Sequence, residues 1–207
     1  MRLLDLFCGA GGAATGYARA GWEVVGVDIR PQPRYPFRFF RADAMRVGLG
    51  GFDAIHASPP CQAYSQAGAV HNKQHPDLVG PVRERLQATG LPWVIENVMQ
   101  APVRPDLLLC GTMFGLETIR HRLFESNVEL GRSPTWCNCR RMALSGQVFN
   151  LHNAAQRRLY MATHGYTSVA KALRESLGVP WMSMDEAQEA IPPAYTEFVG
   201  RRLLGER

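Results

Sequence analysis

A cysteine that follows two prolines is the clearest candidate for chemistry in this sequence. Cys61 ends the run Ser58-Pro59-Pro60-Cys61, and Gln62 follows it. Proline fixes its own φ angle and has no amide donor, so the two prolines predict a stiff loop that presents the thiol outward. A free cysteine is more often a small buried hydrophobic residue, but the polar and proline neighbours argue against that here. We therefore predict a nucleophilic thiol.

Charged residues at the ends of apolar runs form a second group of candidates. Glu96 and Asn97 end the run that begins at Trp93, and a carboxylate there must be paired or used with a raised pKa. Taken alone, Glu96 is better explained as a structural partner of loop amides. Arg120 and Arg122 are spaced to project from one side of a strand. They could hold a nucleic-acid backbone or a base carbonyl, or simply form a solvated basic edge.

A glycine-rich turn near the N-terminus suggests a site for a small molecule. The run from Asp5 to Gly12, DLFCGAGG, predicts a strand, a tight turn and a helix, an arrangement that brings the backbone close to a ligand. Asp28, at the end of the next strand, is suited to ribose hydroxyls, and Asp43 could accept a hydrogen bond from an adenine amino group. A tight turn in any α/β protein is the alternative. The glycine spacing lacks the full dinucleotide fingerprint, which disfavours NAD.

Short apolar runs separated by two or three polar residues predict the strands and helices that position these residues. The predicted strands are residues 3–7, 22–27, 37–41, 54–57, 93–95, 107–109 and 123–125, and the predicted helices are 13–20 and 78–89. Alternating strands and helices indicate an α/β fold with a mostly parallel sheet. Ligands bind such sheets at the carboxyl ends of the strands, where the candidate residues recur.

The second half of the chain differs in character. Residues 127–180 hold few periodic runs, much arginine and the pair Cys137/Cys139, and we expect a small accessory region there. Residues 184–204 predict two short helices around Pro192-Pro193. The length suits one domain with a small appendage. We therefore expect residues 1–126 plus 181–207 to form the main domain and residues 127–180 to be accessory.

Composition restricts the class of protein further. Twenty-three basic residues against 18 acidic ones give a net charge of +5, which is compatible with a nucleic-acid partner. Arginines crowd into residues 120–122, 132–141 and 157–158, and arginine suits phosphate and guanine better than lysine does. No apolar run approaches a membrane span, and the first residues lack the pattern of a signal peptide. An odd number of cysteines favours a reducing compartment, so we expect a cytoplasmic protein.

The cysteine pair also raises the question of a metal. Cys137 and Cys139 have the spacing Cys-x-Cys, with Cys110, His152 or His164 as further candidate ligands. A closed zinc site needs four ligands, and only two are close in sequence. We therefore expect no metal and interpret the pair as two thiols on an accessory loop, with zinc as the less favoured alternative.

Taken together, these motifs resemble the cytosine-5 DNA methyltransferases. The order is that of the family: DLFCGAGG, PPCQ, ENV, Arg-x-Arg and a C-terminal Pro-Pro segment. The resemblance covers residue 3 to about 126 and roughly 184–200. It implies a Rossmann-like fold and transfer of a methyl group from S-adenosylmethionine to carbon 5 of cytosine. It also implies double-stranded DNA as the partner, with residues 127–180 as a target recognition region.

The resemblance implies a role for each matching residue. Cys61 is the expected nucleophile, Glu96 bonds the N3 edge of cytosine, Asn97 positions the loop, Arg122 contacts the base carbonyl and Arg120 supports the pocket. The expected cofactor-binding residues are Phe7, Gly9, Gly11, Asp28, Asp43 and Pro59. Residues 62–75 resemble the mobile loop that closes over a flipped base.

Three departures from the family pattern stand out. Thr118 stands where the family usually has Gln, and Gln188-Glu189 stand where it usually has Gly-Asn. The recognition region is short, which predicts low sequence specificity or a target of few base pairs. So compact a chain resembles an enzyme of a phage or mobile element, with restriction protection among its possible roles, and we expect a monomer.

Alternative functions remain open from the sequence. The same core motifs occur in enzymes that methylate tRNA cytosine, which would favour single-stranded loops. A non-catalytic DNA- or cofactor-binding subunit is a second alternative, although such a relative would be expected to lose Cys61 or Glu96. Transfer of a group other than methyl from a modified cofactor is a third.

Overall fold

The computed structural model of the protein describes residues 1–64 and 76–206. Within these ranges the strands are β1 (Arg2–Leu6), β2 (Glu23–Asp28), β3 (Arg38–Arg41), β4 (Ala54–Ala57), β5 (Trp93–Asn97), β6 (Leu107–Leu109) and β7 (Arg122–Ser126). The helices are α1 (Gly12–Arg19), α2 (Val79–Gln87), α3 (Cys139–Leu144), α4 (Ala154–Thr163), α5 (Val169–Leu177), α6 (Met184–Glu189) and α7 (Pro193–Leu203), with a 3-10 helix at Gly111–Phe114.

The described strands form one seven-stranded sheet in the order β3-β2-β1-β4-β5-β7-β6. Strands β1 to β5 pair in parallel, whereas β7 runs antiparallel to both β5 and β6. The order reverses direction at β1, so the carboxyl ends of β1 and β4 flank the crevice where such sheets bind ligands. The α/β class and the mostly parallel sheet predicted from the sequence are confirmed.

The central strands are mostly apolar, as expected for parallel strands that are buried on both faces of the sheet. Every residue of β4 and β5 is buried, including Glu96 and Asn97 at the end of β5. Strand β3, by contrast, lies at the sheet edge and is largely exposed, with an arginine at each end. Charged residues on an edge strand discourage pairing with another chain.

Helix α7 returns the C-terminal segment to the N-terminal glycine turn. Thr196 on α7 donates to the carbonyl oxygen of Ala13 at 2.8 Å, and Trp22 donates to that of Gly200 at 3.0 Å. The approach of α7 to α1 is closest at Gly16, where a Cβ would lie only 2.0 Å from the carbonyl oxygen of Pro193. Helices α1 and α7, which are far apart in sequence, therefore pack together behind the glycine turn.

The accessory segment, residues 127–180, contains the three helices α3, α4 and α5, although its sequence showed little periodicity. Helices α4 and α5 begin at side-chain caps, Asn153 and Ser168. Together with Phe149 they form a hydrophobic cluster of their own, which also includes Ala10 of the glycine turn. Trp181 extends this contact by donating its indole N–H to the carbonyl oxygen of Ala10 at 3.1 Å.

No helix in the described part of the chain is both long and apolar enough to span a membrane.

Replacement of Gly16 tests how far the glycine turn depends on α7. We expect Gly16→Ala to lower the free energy of unfolding by about 1–3 kcal/mol, because the added methyl group has no space between the helices. Urea unfolding followed by circular dichroism measures the change. Gly48→Ala is the matched control, since a Cβ at Gly48 meets nothing within 4 Å. An equal loss of unfolding free energy in both variants would contradict the close packing of α7 against α1 at Gly16.

Candidate active site

A cavity of about 430 Å³ opens at the carboxyl ends of the parallel strands. This volume lies within the range of small-molecule sites, roughly 300–1,000 Å³. Eight residues singled out from the sequence line it, namely Phe7, Gly9, Asp28, Pro59, Cys61, Glu96, Asn97 and Arg122. The turn after β1, the proline loop after β4, the end of β5 and the start of β7 thus contribute to one site, although 115 residues separate Phe7 from Arg122.

An ion pair between Glu96 and Arg122 lies in the cavity wall. Arg122 Nε is 2.8 Å from Glu96 Oε1, and both side chains are largely buried. The antiparallel register that pairs Glu96 with Phe124 puts Arg122, two residues away, on the same face as a diagonal neighbour. The contact is not aligned as a hydrogen bond, so Oε1 has no hydrogen-bond partner among the described residues. This buried oxygen is therefore held by the charge of Arg122.

Burial raises the pKa of Glu96, while Arg122, the Ser58 hydroxyl and Arg120 oppose the shift. The Ser58 hydroxyl is itself held by His56, whose Nε2 lies 2.8 Å away. His56 is wholly buried, which lowers its pKa to about 3, so this ring is neutral at physiological pH. Its other nitrogen lies 3.0 Å from the Tyr17 hydroxyl. A neutral hydrogen-bonded chain from the core thus orients the serine beside Glu96.

The thiol of Cys61 is half-buried beside the same pair. Burial raises the pKa of Cys61, Arg122 lowers it, and Glu96 raises it again. Arg122 is therefore the group that favours the thiolate, as a nucleophilic cysteine requires. The balance leaves the free protein with a thiol that ionises less readily than an exposed cysteine.

The proline loop that carries Cys61 is fastened to the end of β5. Asn97 donates its side-chain N–H to the carbonyl oxygen of Pro59 at 2.8 Å, and its own Oδ1 accepts from the amide of Val98 at 2.8 Å. Asn97 is 2% exposed, so water does not compete for these bonds. The loop is held from β5 as well as stiffened by its prolines.

Arg120 and Arg122 do not share a strand face, contrary to the spacing-based prediction. Strand β7 begins at Arg122, and Arg120 precedes it. The Arg120 guanidinium donates to the carbonyl oxygen of Gln188 at 2.6 Å, and the Arg120 carbonyl accepts from the Tyr195 hydroxyl at 2.6 Å. Burial, followed by the proximity of Arg122, lowers the pKa of Arg120 to about 9. Arg120 lies outside the cavity lining and clamps the C-terminal segment.

The glycine turn and the end of β2 form the other half of the cavity. The amide of Gly9 donates to Asp28 Oδ2 at 3.1 Å, and the amide of Arg30 donates to Oδ1 at 2.9 Å. A carboxylate has about four acceptor positions, so Asp28 keeps capacity for a ligand. Phe7 adopts a φ of 58°, in the left-handed region that non-glycine residues rarely occupy. Such backbone strain concentrates at functional sites.

Two of the expected cofactor-binding residues are not among those that line the cavity. Gly11 instead faces Tyr35 and Pro36, and it supplies the left-handed cap of α1. Asp43 accepts from the amide of Met45 at 2.8 Å and pairs with Arg46 at 3.5 Å, and so stabilises its own turn. Most of the predicted mobile loop, residues 65–75, lies outside the described residues.

The cavity also contains residues for which the sequence suggested no role. Asp5 is 1% exposed, lines the cavity and has no close hydrogen-bond partner for either oxygen among the described residues. Burial, with Asp28 and Glu96 nearby, raises its pKa well above the usual value. The one sequence feature that could have indicated a role for Asp5 is its position within an otherwise apolar strand. Gln188 and Glu189, at the positions where the family usually has Gly-Asn, also line the cavity.

The fold is that of the methyltransferases. Structures of the Dnmt2 methyltransferase of S. pombe and of the methyltransferase EhMeth of Entamoeba histolytica each match 99% of this chain and 98% of their own, with a TM-score of 0.61 and 11% sequence identity. At that identity the likeness establishes the fold alone.

Sequence comparison matches part of the chain to a family. Residues 1–79 match the family model for C-5 cytosine-specific DNA methylase, which confirms the resemblance over that stretch. The type II methyltransferase M.FnuDI of Fusobacterium nucleatum is 30% identical over 86 residues, which are 37% of this chain and 25% of that protein. The chain thus matches about a quarter of the length of this relative.

The effect of Arg122 on the thiol can be tested without a substrate. We expect the pH midpoint for alkylation of Cys61 by iodoacetamide, followed on its peptide by mass spectrometry, to lie above the usual value of about 8.5. Arg122→Ala removes the cation that favours the thiolate, so the midpoint should move higher still.

Arg19→Ala, which changes an exposed arginine on α1, is the matched control and should leave the midpoint unchanged. A midpoint that stays in place in Arg122→Ala, or that falls, would show that Arg122 does not act on the thiol.

Proposed function

We propose that this protein is a methyltransferase that modifies carbon 5 of cytosine in DNA, with Cys61 as the covalent nucleophile. The observation that carries the proposal is the convergence of Cys61, Glu96 and Arg122 in one cavity, next to the glycine turn and Asp28. Group transfer to a ring carbon requires a nucleophile, an acid and a cation next to a binding site for the group donor. This cavity contains all of these parts.

The glycine-turn half of the cavity fits S-adenosylmethionine. A Cβ at Gly9 would meet nothing within 4 Å, which leaves open space above the turn. The remaining acceptor positions of Asp28 suit ribose hydroxyls, and Phe7 and Pro59 supply apolar surface nearby. When bound, this cofactor supplies an electrophilic methyl group. The residues that hold it are Phe7, Gly9, Asp28 and Pro59, while Gly11 and Asp43 act by shaping the turns around it.

The protein's own groups activate the cytosine. Carbon 5 is a weak nucleophile until the Cys61 thiolate adds to carbon 6, forming a carbon–sulfur bond and moving an electron pair toward N3. Glu96, whose pKa is raised by burial, bonds the N3 edge of cytosine as the charge develops and exchanges a proton there. Arg122 holds the base carbonyl and favours the thiolate. Once carbon 5 carries the transferred methyl group, loss of its proton to water lets the electron pair re-form the ring double bond, so that the carbon–sulfur bond breaks and Cys61 is freed.

The accessory segment supplies features suited to DNA. Trp136 is 89% exposed, and Arg140 and Arg141 extend from the start of α3. An exposed aromatic ring with arginines nearby offers stacking and phosphate contacts. The target base must leave the duplex to reach Cys61. We therefore assign residues 127–180 to target recognition and the remainder to catalysis.

Product analysis tests the proposed reaction. Duplex DNA incubated with the protein and S-adenosylmethionine should contain 5-methylcytosine, measured by mass spectrometry of the nucleosides, and Cys61→Ala should reduce it below detection. Duplex with 5-fluorocytosine should trap a covalent complex with the native chain, because fluorine cannot leave as a proton does.

A tRNA substrate run in parallel distinguishes the RNA alternative. Product in tRNA alone would move the function to RNA. Absence of product from both substrates, with cofactor binding intact, would contradict the proposed reaction.

Replacement of Glu96 tests its role in proton donation. We expect Glu96→Gln to lower the rate of the methylation step by about 10²–10⁴-fold, because the amide still donates a hydrogen bond but cannot transfer a proton. Single-turnover kinetics with labelled cofactor measure this rate. The exposed Glu129→Gln is the matched control. A rate within threefold of the native value, on the order of the noise in such measurements, would remove Glu96 from the chemistry.

A further inference from the structure

Four metal-binding side chains meet away from the cavity, at the junction of the sheet and the accessory segment. Cys110 follows β6, His121 precedes β7, and Cys137 and Cys139 lie where α3 begins. Their three sulfurs and one ring nitrogen all lie within 4.8 Å of one another. The histidine Nε2 is 3.5 Å from the Cys137 sulfur and 3.7 Å from the Cys139 sulfur.

These separations are those of a tetrahedral zinc site. Zinc–sulfur bonds of about 2.3 Å and zinc–nitrogen bonds of about 2.0–2.1 Å place a nitrogen and a sulfur ligand about 3.6 Å apart on a tetrahedron. The two measured distances bracket that value. Three cysteines and one histidine also complete the four ligands that a closed structural site requires. The set matches zinc in geometry, number and ligand type.

The surroundings support metal binding rather than another use of the thiols. None of the five cysteines, all of which lie in the described residues, forms a disulfide. Thr112 Oγ1 lies 3.6 Å from the Cys137 sulfur and 3.7 Å from that of Cys110, and it accepts from the amide of Asn138 at 3.3 Å. Such outer hydrogen bonds orient the ligands of metal sites.

The structure also changes the ligand set that the sequence suggested. His152 is exposed, and His164 stacks on Tyr160 with its Nε2 3.7 Å from Glu117, so neither belongs to the cluster. His121 replaces them, although it lies 16 residues from Cys137 and was interpreted only as part of the Arg-x-Arg segment. The expectation of no metal depended on seeing only two nearby ligands.

We propose that Cys110, His121, Cys137 and Cys139 bind one Zn²⁺ in a closed structural site. The ion would tie the segment that carries Trp136 to the β6–β7 pair. It would also fix His121, the residue between Arg120 and Arg122, so that one cross-link holds both the accessory segment and the start of β7. This proposal goes beyond the proposed function, because metal binding can be measured whether or not the protein methylates DNA.

Metal content of the purified full chain is the first test. We expect one zinc per chain by inductively coupled plasma mass spectrometry. Exchange for Co²⁺ should produce the visible absorption of tetrahedral cobalt together with sulfur-to-cobalt charge transfer.

Variants identify the ligands. Cys137→Ser and His121→Ala should lose the metal to a mild chelator, whereas His121→Cys should retain it with a four-sulfur cobalt spectrum. His152→Ala is the matched control and should keep one zinc.

Limited proteolysis tests the structural role. Removal of the metal from the native chain should speed tryptic cleavage at Arg132, Arg140 and Arg141 at least tenfold, on the order of the protection that a lost local constraint removes. Cleavage within the sheet should be unchanged.

Three results would overturn the proposal, and none depends on the variants folding. They are a native chain with no stoichiometric metal and no cobalt–thiolate spectrum, a disulfide among these cysteines in the freshly purified protein, and unchanged cleavage after the metal is removed.

Discussion

The buried ion pair between Glu96 and Arg122 is the interaction on which the site depends. A carboxylate at the end of a wholly buried strand would be strongly destabilised without a partner, and removal of one member of such a pair leaves the other charge uncompensated. The same arginine lowers the pKa of both Glu96 and Cys61, while burial raises both. One guanidinium therefore sets the protonation balance of the acid and the nucleophile together.

That pair exists because β7 is inserted antiparallel between β5 and β6. A parallel strand in this place would bring residues from its other end to the carboxyl end of β5. The antiparallel direction delivers the first residue of β7, Arg122, to the last residues of β5. The two residues before Arg122 make contacts outside the cavity. His121 lies in the cluster with the three cysteines, and Arg120 contacts the C-terminal segment.

The rest of the molecule completes this arrangement from segments that are distant in sequence. Helix α7 holds the glycine turn through the contact at Gly16 and holds Arg120 through the Tyr195 hydroxyl. The accessory helices have their own hydrophobic cluster and meet the glycine turn at Ala10. The glycine-turn half and the nucleophile half of the cavity thus share supports from distant segments of the chain.

The sequence by itself determined the strands and most of the residues that carry chemistry. All seven predicted strands occur in the described chain, within about one or two residues of the predicted ends, because apolar runs and their polar boundaries are local properties. Cys61, Glu96 and Asp28 were located in the same way, since each stands next to a recognisable motif at a strand end.

Only the tertiary structure decided which of these residues meet. The strand order and the direction of β7 come from long-range pairing, which no local pattern encodes. Arg120 binds the carbonyl oxygen of Gln188 and Asp43 binds the amide of Met45, and the sequence alone does not reveal either partner. His121 joined three cysteines from separate segments for the same reason: proximity in a fold is set by packing, and spacing along the chain does not record it.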